Sequence, residues 1–134
     1  MTLVDTNVLL DVVAADPRWL DWSLSQLVRR TALGPVIIND IVYAEMSIRM
    51  NTLADLEQAL GELDVKLERM PIRALYAAGK CFRRYRSTGG IRTGVLPDFF
   101  IGAHAQVLGW PILTRDVRRY RTYFPDVVLI TPES

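Results

Sequence analysis

The sequence is short of several features that would give it a simple reading. Its one cysteine, Cys81, excludes an intrachain disulfide and a cysteine-ligated zinc site. Charge of one sign is also lacking. The formal net charge of +1 neither selects nor excludes a nucleic-acid partner, so any such surface has to be local. No apolar run approaches the roughly 20 residues that a membrane span requires. The first fifteen residues carry Asp5 and Asp11 and no basic leader, unlike a secretory signal. No linker, repeat or low-complexity tract is present. Together these absences point to a reducing, cytoplasmic setting away from membranes.

What is present suits one globular unit. Half of the residues are hydrophobic and 23% are charged, enough for both a core and a soluble surface, and a balance that argues against disorder. A chain of 134 residues is one domain's worth, read as a single domain over 1–134. Cys81 lies in an apolar helical stretch and reads as a small buried residue. Arginine far outnumbers lysine. That bias suits phosphate recognition and follows equally well from codon usage.

Short apolar strands alternate with helices. Thr2-Leu3-Val4 runs into Asp5-Thr6-Asn7, and Val8 to Ala14 reads as helix. Asp16-Pro17 reads as an N-cap and first helical residue, starting a helix that continues to about Leu33, where Gly34-Pro35 stops it. Val36-Ile37-Ile38 is a second strand. Helices follow from Asn39-Asp40 to Met50 and from Leu53 to Leu63, then a weak third strand over Val65 to Leu67. Pro71 opens a long helix to about Tyr85. Ser87 to Gly94 holds three glycines and reads as a mobile loop. The helix that Pro97 opens is apolar almost all round from Phe99 to Leu108 and is therefore expected to be buried. Ile112-Leu113 and Val127 to Ile130 complete five strands. This alternation predicts an α/β fold with a parallel sheet covered on both faces, and in such sheets ligands bind beyond the carboxyl ends of the strands.

Four acids fall at or near those ends. Asp5 directly follows strand one, Glu45 lies in the helix after strand two, Asp98 opens the apolar helix, and Asp116 follows strand four by two residues. A right-handed parallel arrangement can bring all four to one end of the sheet. The chemistry that uses such convergence is metal-assisted phosphoryl transfer. Mg²⁺ takes carboxylate oxygens and keeps several waters, and one or two such ions activate water, steady the leaving alkoxide and neutralise phosphate. Each acid also has a plain structural use. Asp5 and Asp116 can cap the helices that follow them, and Asp98 can serve the dipole of its helix. Glu45 is harder to explain that way. It sits two positions past the capping-box site of a helix capped at Asp40, on a stripe with Ile41 and Ile48, where it needs a partner. That partner is either Arg49, four residues on, or a metal.

These segments resemble the motifs of PIN-domain nucleases. Val4-Asp5-Thr6-Asn7-Val8-Leu9-Leu10-Asp11 looks like the opening motif, Asn39-Asp40-Ile41-Val42-Tyr43-Ala44-Glu45 like the second and Pro97-Asp98-Phe99-Phe100-Ile101-Gly102-Ala103-His104-Ala105 like the third. Leu113-Thr114-Arg115-Asp116 looks like the fourth, and Leu129-Ile130-Thr131-Pro132 like the terminal strand. The match covers essentially the whole chain, and its compactness is similar to that of the toxin members of VapBC toxin–antitoxin pairs. The resemblance implies a three-layer α/β/α fold with a five-stranded parallel sheet. It implies Mg²⁺- or Mn²⁺-dependent cleavage of RNA, homodimerisation and inhibition by a small protein antitoxin. It makes Asp5 and Asp98 the firmest metal ligands. Glu45 and Asp116 complete the catalytic and metal-binding set, directly or through water, with Asn7 and Thr114, and Thr6 as well, holding the carboxylates by hydrogen bonds. Two departures from the family pattern stand out. Gly102 replaces the more usual alanine, expected to matter little, and the paired Phe99 and Phe100 are bulkier than common.

The only histidine, His104, lies six residues past Asp98, about 120° away around the helix, and is expected to be structural. Asp11 either supports the site from behind or begins the turn after the first helix. Two basic, aromatic segments are candidate RNA contacts: Arg83 to Arg86 with Arg92 across the glycine loop, and Arg115 to Phe124 with Arg118, Arg119, Tyr120, Arg121 and Tyr123. A solvated helix face is the plainer alternative. Competing functions are a phosphotransfer module, for which Asn7 stands where a second aspartate is needed, a non-catalytic RNA- or protein-binding module, and a housekeeping RNA-processing nuclease.

Overall fold

The computed structural model describes residues 1–91 and 94–133. In chain order the elements are β1 (Thr2–Val4), α1 (Thr6–Val13), α2 (Leu20–Leu33), β2 (Val36–Ile38), α3 (Asp40–Ser47) and α4 (Leu53–Glu62). They continue with β3 (Val65–Leu67), α5 (Ile72–Ser87), α6 (Leu96–Leu108), β4 (Ile112–Leu113), α7 (Arg118–Tyr123) and β5 (Leu129–Ile130). All five strands are parallel, in the order β3-β2-β1-β4-β5. Every residue of β1, β2 and β4 is buried, because helices cover both faces of the sheet. The outer strands β3 and β5 are partly exposed. This is the expected three-layer α/β/α arrangement. No helix among the described residues is long and apolar enough to cross a membrane.

The winding places the site. From β1 the chain builds outward through β2 to β3, and β4 and β5 then add on the other side of β1. The direction therefore reverses between β1 and β4, which opens a crevice at their carboxyl ends. Leu3 and Val4 lie opposite Ile112 and Leu113, so the next residues, Asp5 and Thr114, leave the sheet side by side.

Several boundaries differ from expectation for local reasons. Helix α1 starts at Thr6 rather than Val8, because Asp5 in extended conformation caps it and accepts the Thr6 N–H at 2.8 Å. The Asp16 carboxylate accepts the N–H groups of Arg18 and Trp19 at 2.8 and 2.9 Å, which closes a turn before α2 begins at Leu20. Helix α3 ends at Ser47 rather than Met50. Its buried positions are Val42 and Met46, and Ile48 is 79% exposed, so the stripe through Ile41, Glu45 and Ile48 is not the core face. The expected mobile loop from Ser87 to Gly94 includes residues outside those described. Cys81 is half-buried rather than buried.

Helix α6 is the most enclosed, with Phe99 and Ile101 to Ala105 all buried. Its Gly102 matters more than expected, since a Cβ there would overlap the ring of Phe124, itself 1% exposed. Phe124 packs edge-on to Phe99 at 6.3 Å, in a cluster that also holds Phe82, Tyr85 and Tyr123. The glycine therefore lets α7 and its following ring close over α6. Gly102→Ala should destabilise the protein by about 1–3 kcal/mol, the usual cost of overpacking a core. In a Phe124→Leu background the same change should cost less, read by denaturant unfolding. An unchanged midpoint for the single variant would contradict the packing.

Candidate active site

The crevice between β1 and β4 is organised around Asp5, which is 5% exposed. A carboxylate this enclosed has to be hydrogen-bonded or protonated. Its Oδ1 accepts the Thr6 N–H at 2.8 Å. Its Oδ2 accepts the hydroxyls of Thr114 and Tyr120 at 2.8 and 2.9 Å and, more loosely, the Asn7 amide at 3.4 Å. The Asn7 amide also reaches Thr114 Oγ1 at 3.3 Å, and Thr114 Oγ1 accepts the Asp116 N–H at 3.1 Å. Three donors thus converge on one oxygen and a single main-chain donor on the other, so Oδ1 keeps an acceptor position among the described residues.

The other three acids sit around this centre. Glu45 on α3 is half-buried, and its Oε1 accepts the Thr6 hydroxyl at 2.7 Å. Its partner is therefore Thr6 and not Arg49. Asp98 is the third residue of α6, with a side chain 29% exposed and Arg119 Nη1 at 3.5 Å from Oδ2. Asp116, ahead of α7, receives Arg118 through two contacts of 3.2 Å and accepts its N–H at 3.3 Å.

The electrostatics divide the acids. Burial raises the Asp5 carboxyl above its ordinary range, opposed by the hydrogen bonds of Thr114, Tyr120 and Thr6 and reinforced by Glu45. Asp98 is pushed up to about 7 by burial first and then by Asp5, with Asp116 and Glu45 adding to the effect and Arg119 opposing it. Hydrogen bonding from Arg118 holds Asp116 below the usual range. Asp98 thus senses all three of the other acids. Sequence reasoning missed Tyr120 as a site residue, placing it instead on an RNA surface. It is 1% exposed, and burial together with Asp5 and Asp98 raises its phenol well above normal.

The basic segments are arranged differently from the RNA surface expected. Tyr85 and Tyr123 are half-buried in the aromatic cluster of α5, α6 and α7 and Tyr120 is buried, so these rings are not open faces for bases. Arg115 is engaged with Asp11, which is buried rather than a turn residue. Arg118 is 74% exposed, Arg119 is 15% exposed beside Asp98, and Arg92 lies outside the described residues. His104 is fully buried, with Nδ1 3.3 Å from the Asn39 amide and its ring tilted on Trp110 at 5.2 Å. Burial lowers its pKa, and the charges it senses are Asp40 and Glu68, not the four acids.

The donor chemistry fits a divalent cation. The available donors are hard carboxylate oxygens, and Asp98 is raised by burial and by its neighbouring acids, an effect that Arg119 opposes only in part. Among the described residues no three of these groups form a ready cage. Mg²⁺ does not need one, since one or two carboxylates and several waters suffice.

An all-parallel α/β/α sheet with carboxylates at its winding reversal defines a class of proteins with an acidic crevice. Within that class, the PIN-domain family model matches residues 2–125, and the chain belongs to that family. A chain of the VapBC-1 structure from nontypeable Haemophilus influenzae is similar in fold, with TM-score 0.71 and 16% identity over 99% of this chain and 98% of that one. A chain of the Rickettsia felis VapBC2 structure, bound to a promoter DNA fragment, gives 0.70 and 16% over 97% of each. A toxin–antitoxin complex from Klebsiella pneumoniae gives 0.67 and 21% over 96% of each. No curated protein matches the chain in sequence.

Between the unfolded value of 3.8 and the folded value of about 7, the native state holds a proton on Asp98 that the unfolded chain has released. Stability in chelator should therefore fall as pH rises through that window. Asp98→Asn should flatten the slope and stabilise the protein at pH 8 by roughly 2–4 kcal/mol. Denaturant titrations at several pH values test this, and a variant less stable than its parent at pH 8 contradicts it. Tyr120→Phe keeps the ring but removes a hydrogen bond to a buried acid. It should cost roughly 1–3 kcal/mol in chelator at pH 8, whereas an unchanged unfolding midpoint would deny Tyr120 that role.

Proposed function

We propose that this protein is a divalent-metal-dependent endoribonuclease that hydrolyses RNA phosphodiester bonds, acting as the toxin of a toxin–antitoxin pair and inhibited by a protein antitoxin. The observation that carries the catalytic half is the Asp98 carboxyl held near 7, beside a buried Asp5 whose orientation three side-chain donors fix. Membership of the PIN family and the likeness in fold to VapBC structures support the rest. The Klebsiella relative is a toxin–antitoxin complex, which motivates a protein antitoxin for this chain as well. A homodimer working in the cytoplasm on RNA completes the reading.

In this reading Asp5 and Asp98 hold the cation, with Glu45 and Asp116 completing the acidic set directly or through water. When bound, Mg²⁺ or Mn²⁺ supplies an activated water and neutralises charge that builds on the phosphate. The protein's own contribution is placement. Thr114, Tyr120 and Asn7 stop the Asp5 carboxylate from rotating, and Thr6 holds Glu45 toward the same crevice. Arg118 and Arg119 serve as counterions for Asp116 and Asp98 until cation and substrate arrive. The exposed Arg118 is then free to turn to an RNA phosphate.

Purified protein incubated with RNA and Mg²⁺ should cleave it. Chelator should abolish cleavage, and Asp5→Ala should lower it by roughly 100-fold or more, beyond the usual effect of losing a supporting residue. Mg²⁺ should also raise the parent's melting temperature by linkage. RNA bound equally by parent and variant, with no cleavage in either, would favour a binding module instead.

A further inference from the structure

We propose that Arg115 is a positioning residue for this site: clamped on the buried Asp11, it fixes the Thr114–Asp116 turn against helix α1. The assignment rests on the nuclease reading above. Arg115 Nε and Nη2 donate to the two oxygens of Asp11 at 2.6 and 2.8 Å. Such a paired contact sets the orientation of the guanidinium as well as its position. The Asp11 side chain is 3% exposed and also accepts the Ser23 hydroxyl at 2.6 Å, so α1 and α2 share one carboxylate. The Arg115 guanidinium lies 5.0 Å from the centre of the Trp19 ring, which packs edge-on to Trp22 at 6.1 Å.

The main chain adds a second attachment. The Arg115 N–H donates to Asn7 Oδ1 at 3.1 Å. Asn7 and Asp11 are four residues apart on one face of α1, so Arg115 is held at two successive turns of the helix. Its neighbours in sequence carry the site: Thr114 donates to Asp5, and Asp116 is one of the four acids. A turn released from α1 would withdraw the Thr114 hydroxyl from Asp5 and swing Asp116 away.

Other uses of Arg115 fit less well. An arginine kept for RNA would present its donors to solvent, whereas this one is 26% exposed with the Nε–Nη2 edge of its guanidinium on Asp11. Nor does a buried pair serve stability alone, since apolar replacements of similar volume are often neutral. What the pair adds is register between two segments more than 100 residues apart. Lysine cannot reproduce it, because an ammonium is a point charge without the planar fork.

The test compares Arg115→Met with Leu60→Ala, a core truncation on α4 away from the clasp. Two readouts are taken. One is amide hydrogen exchange at Arg115 and Asp116 in chelator. The other is the Mg²⁺ concentration at the midpoint of the rise in melting temperature. In Arg115→Met, exchange in the turn should quicken by about 10-fold or more and the midpoint should rise by roughly 10–100-fold, the range for a residue that orients a ligand. Arg115→Lys should lie nearer to Met than to the parent. Leu60→Ala should leave both readouts at parental values. Unchanged exchange in the turn, or an unchanged midpoint, overturns the assignment. If the parent itself ignores Mg²⁺, the nuclease reading fails and exchange alone decides the clasp. Acceleration confined to the Arg115→Met turn then sustains it, and a pattern like that of Leu60→Ala overturns it. Should Arg115→Met not fold, Asp11→Asn takes the same tests, with the same directions expected at smaller size.

Discussion

Asp5 is a carboxylate enclosed at the end of the central strand, and an acid there is tolerated only when donors surround it. The donors come from separated parts of the chain: Thr6 and Asn7 from α1, Thr114 from the turn after β4, and Tyr120 from α7. Meeting the demand of one buried group therefore fixes where three segments lie relative to β1. The sheet topology makes this possible, because the reversal of winding between β1 and β4 leaves a crevice that no crossover helix fills. The fold supplies the opening, and the carboxylate determines what must line it.

Charge in the crevice is balanced unevenly. Asp116 is eased by the exposed Arg118, whereas Asp98 lies among other acids with only the longer contact to Arg119. Electrostatic repulsion of this kind adds to burial in raising Asp98, and a cation bound as proposed would relieve it. The two arginines act as tethered substitutes. They reduce the repulsion without bridging the acids, as a multivalent ion can.

Much of this was legible in the sequence. Strand ends, helix order and the four acids follow from apolar spacing and from residues with strong local preferences, such as the acid after β1 and Pro97 at the start of α6. Periodicity places Glu45 on a core stripe with Ile41 and Ile48 and offers it Arg49 or a metal, whereas the buried face of α3 carries Val42 and Met46 and the Glu45 carboxylate meets Thr6, because an eight-residue helix allows two overlapping stripes. Contacts between distant segments were not legible. Tyr120 and Arg115 read as a basic, aromatic surface, and nothing local tells a tyrosine facing solvent from one reaching Asp5, 115 residues earlier. Gly102 looked interchangeable with alanine for the same reason, since the ring it accommodates belongs to Phe124. Local chemistry shows which groups need partners. Only the assembled fold shows which partners they find.

The central claim is that Asp5 and Asp98 share one cation, and locating that ion tests it most directly. Crystals soaked in Mn²⁺ and measured near the manganese absorption edge should show an anomalous peak between the two carboxylates, with the Asp98 side chain turned from Arg119 toward it. Saturating Mn²⁺ that leaves the crevice without a peak, with Asp98 still on Arg119, would contradict the account.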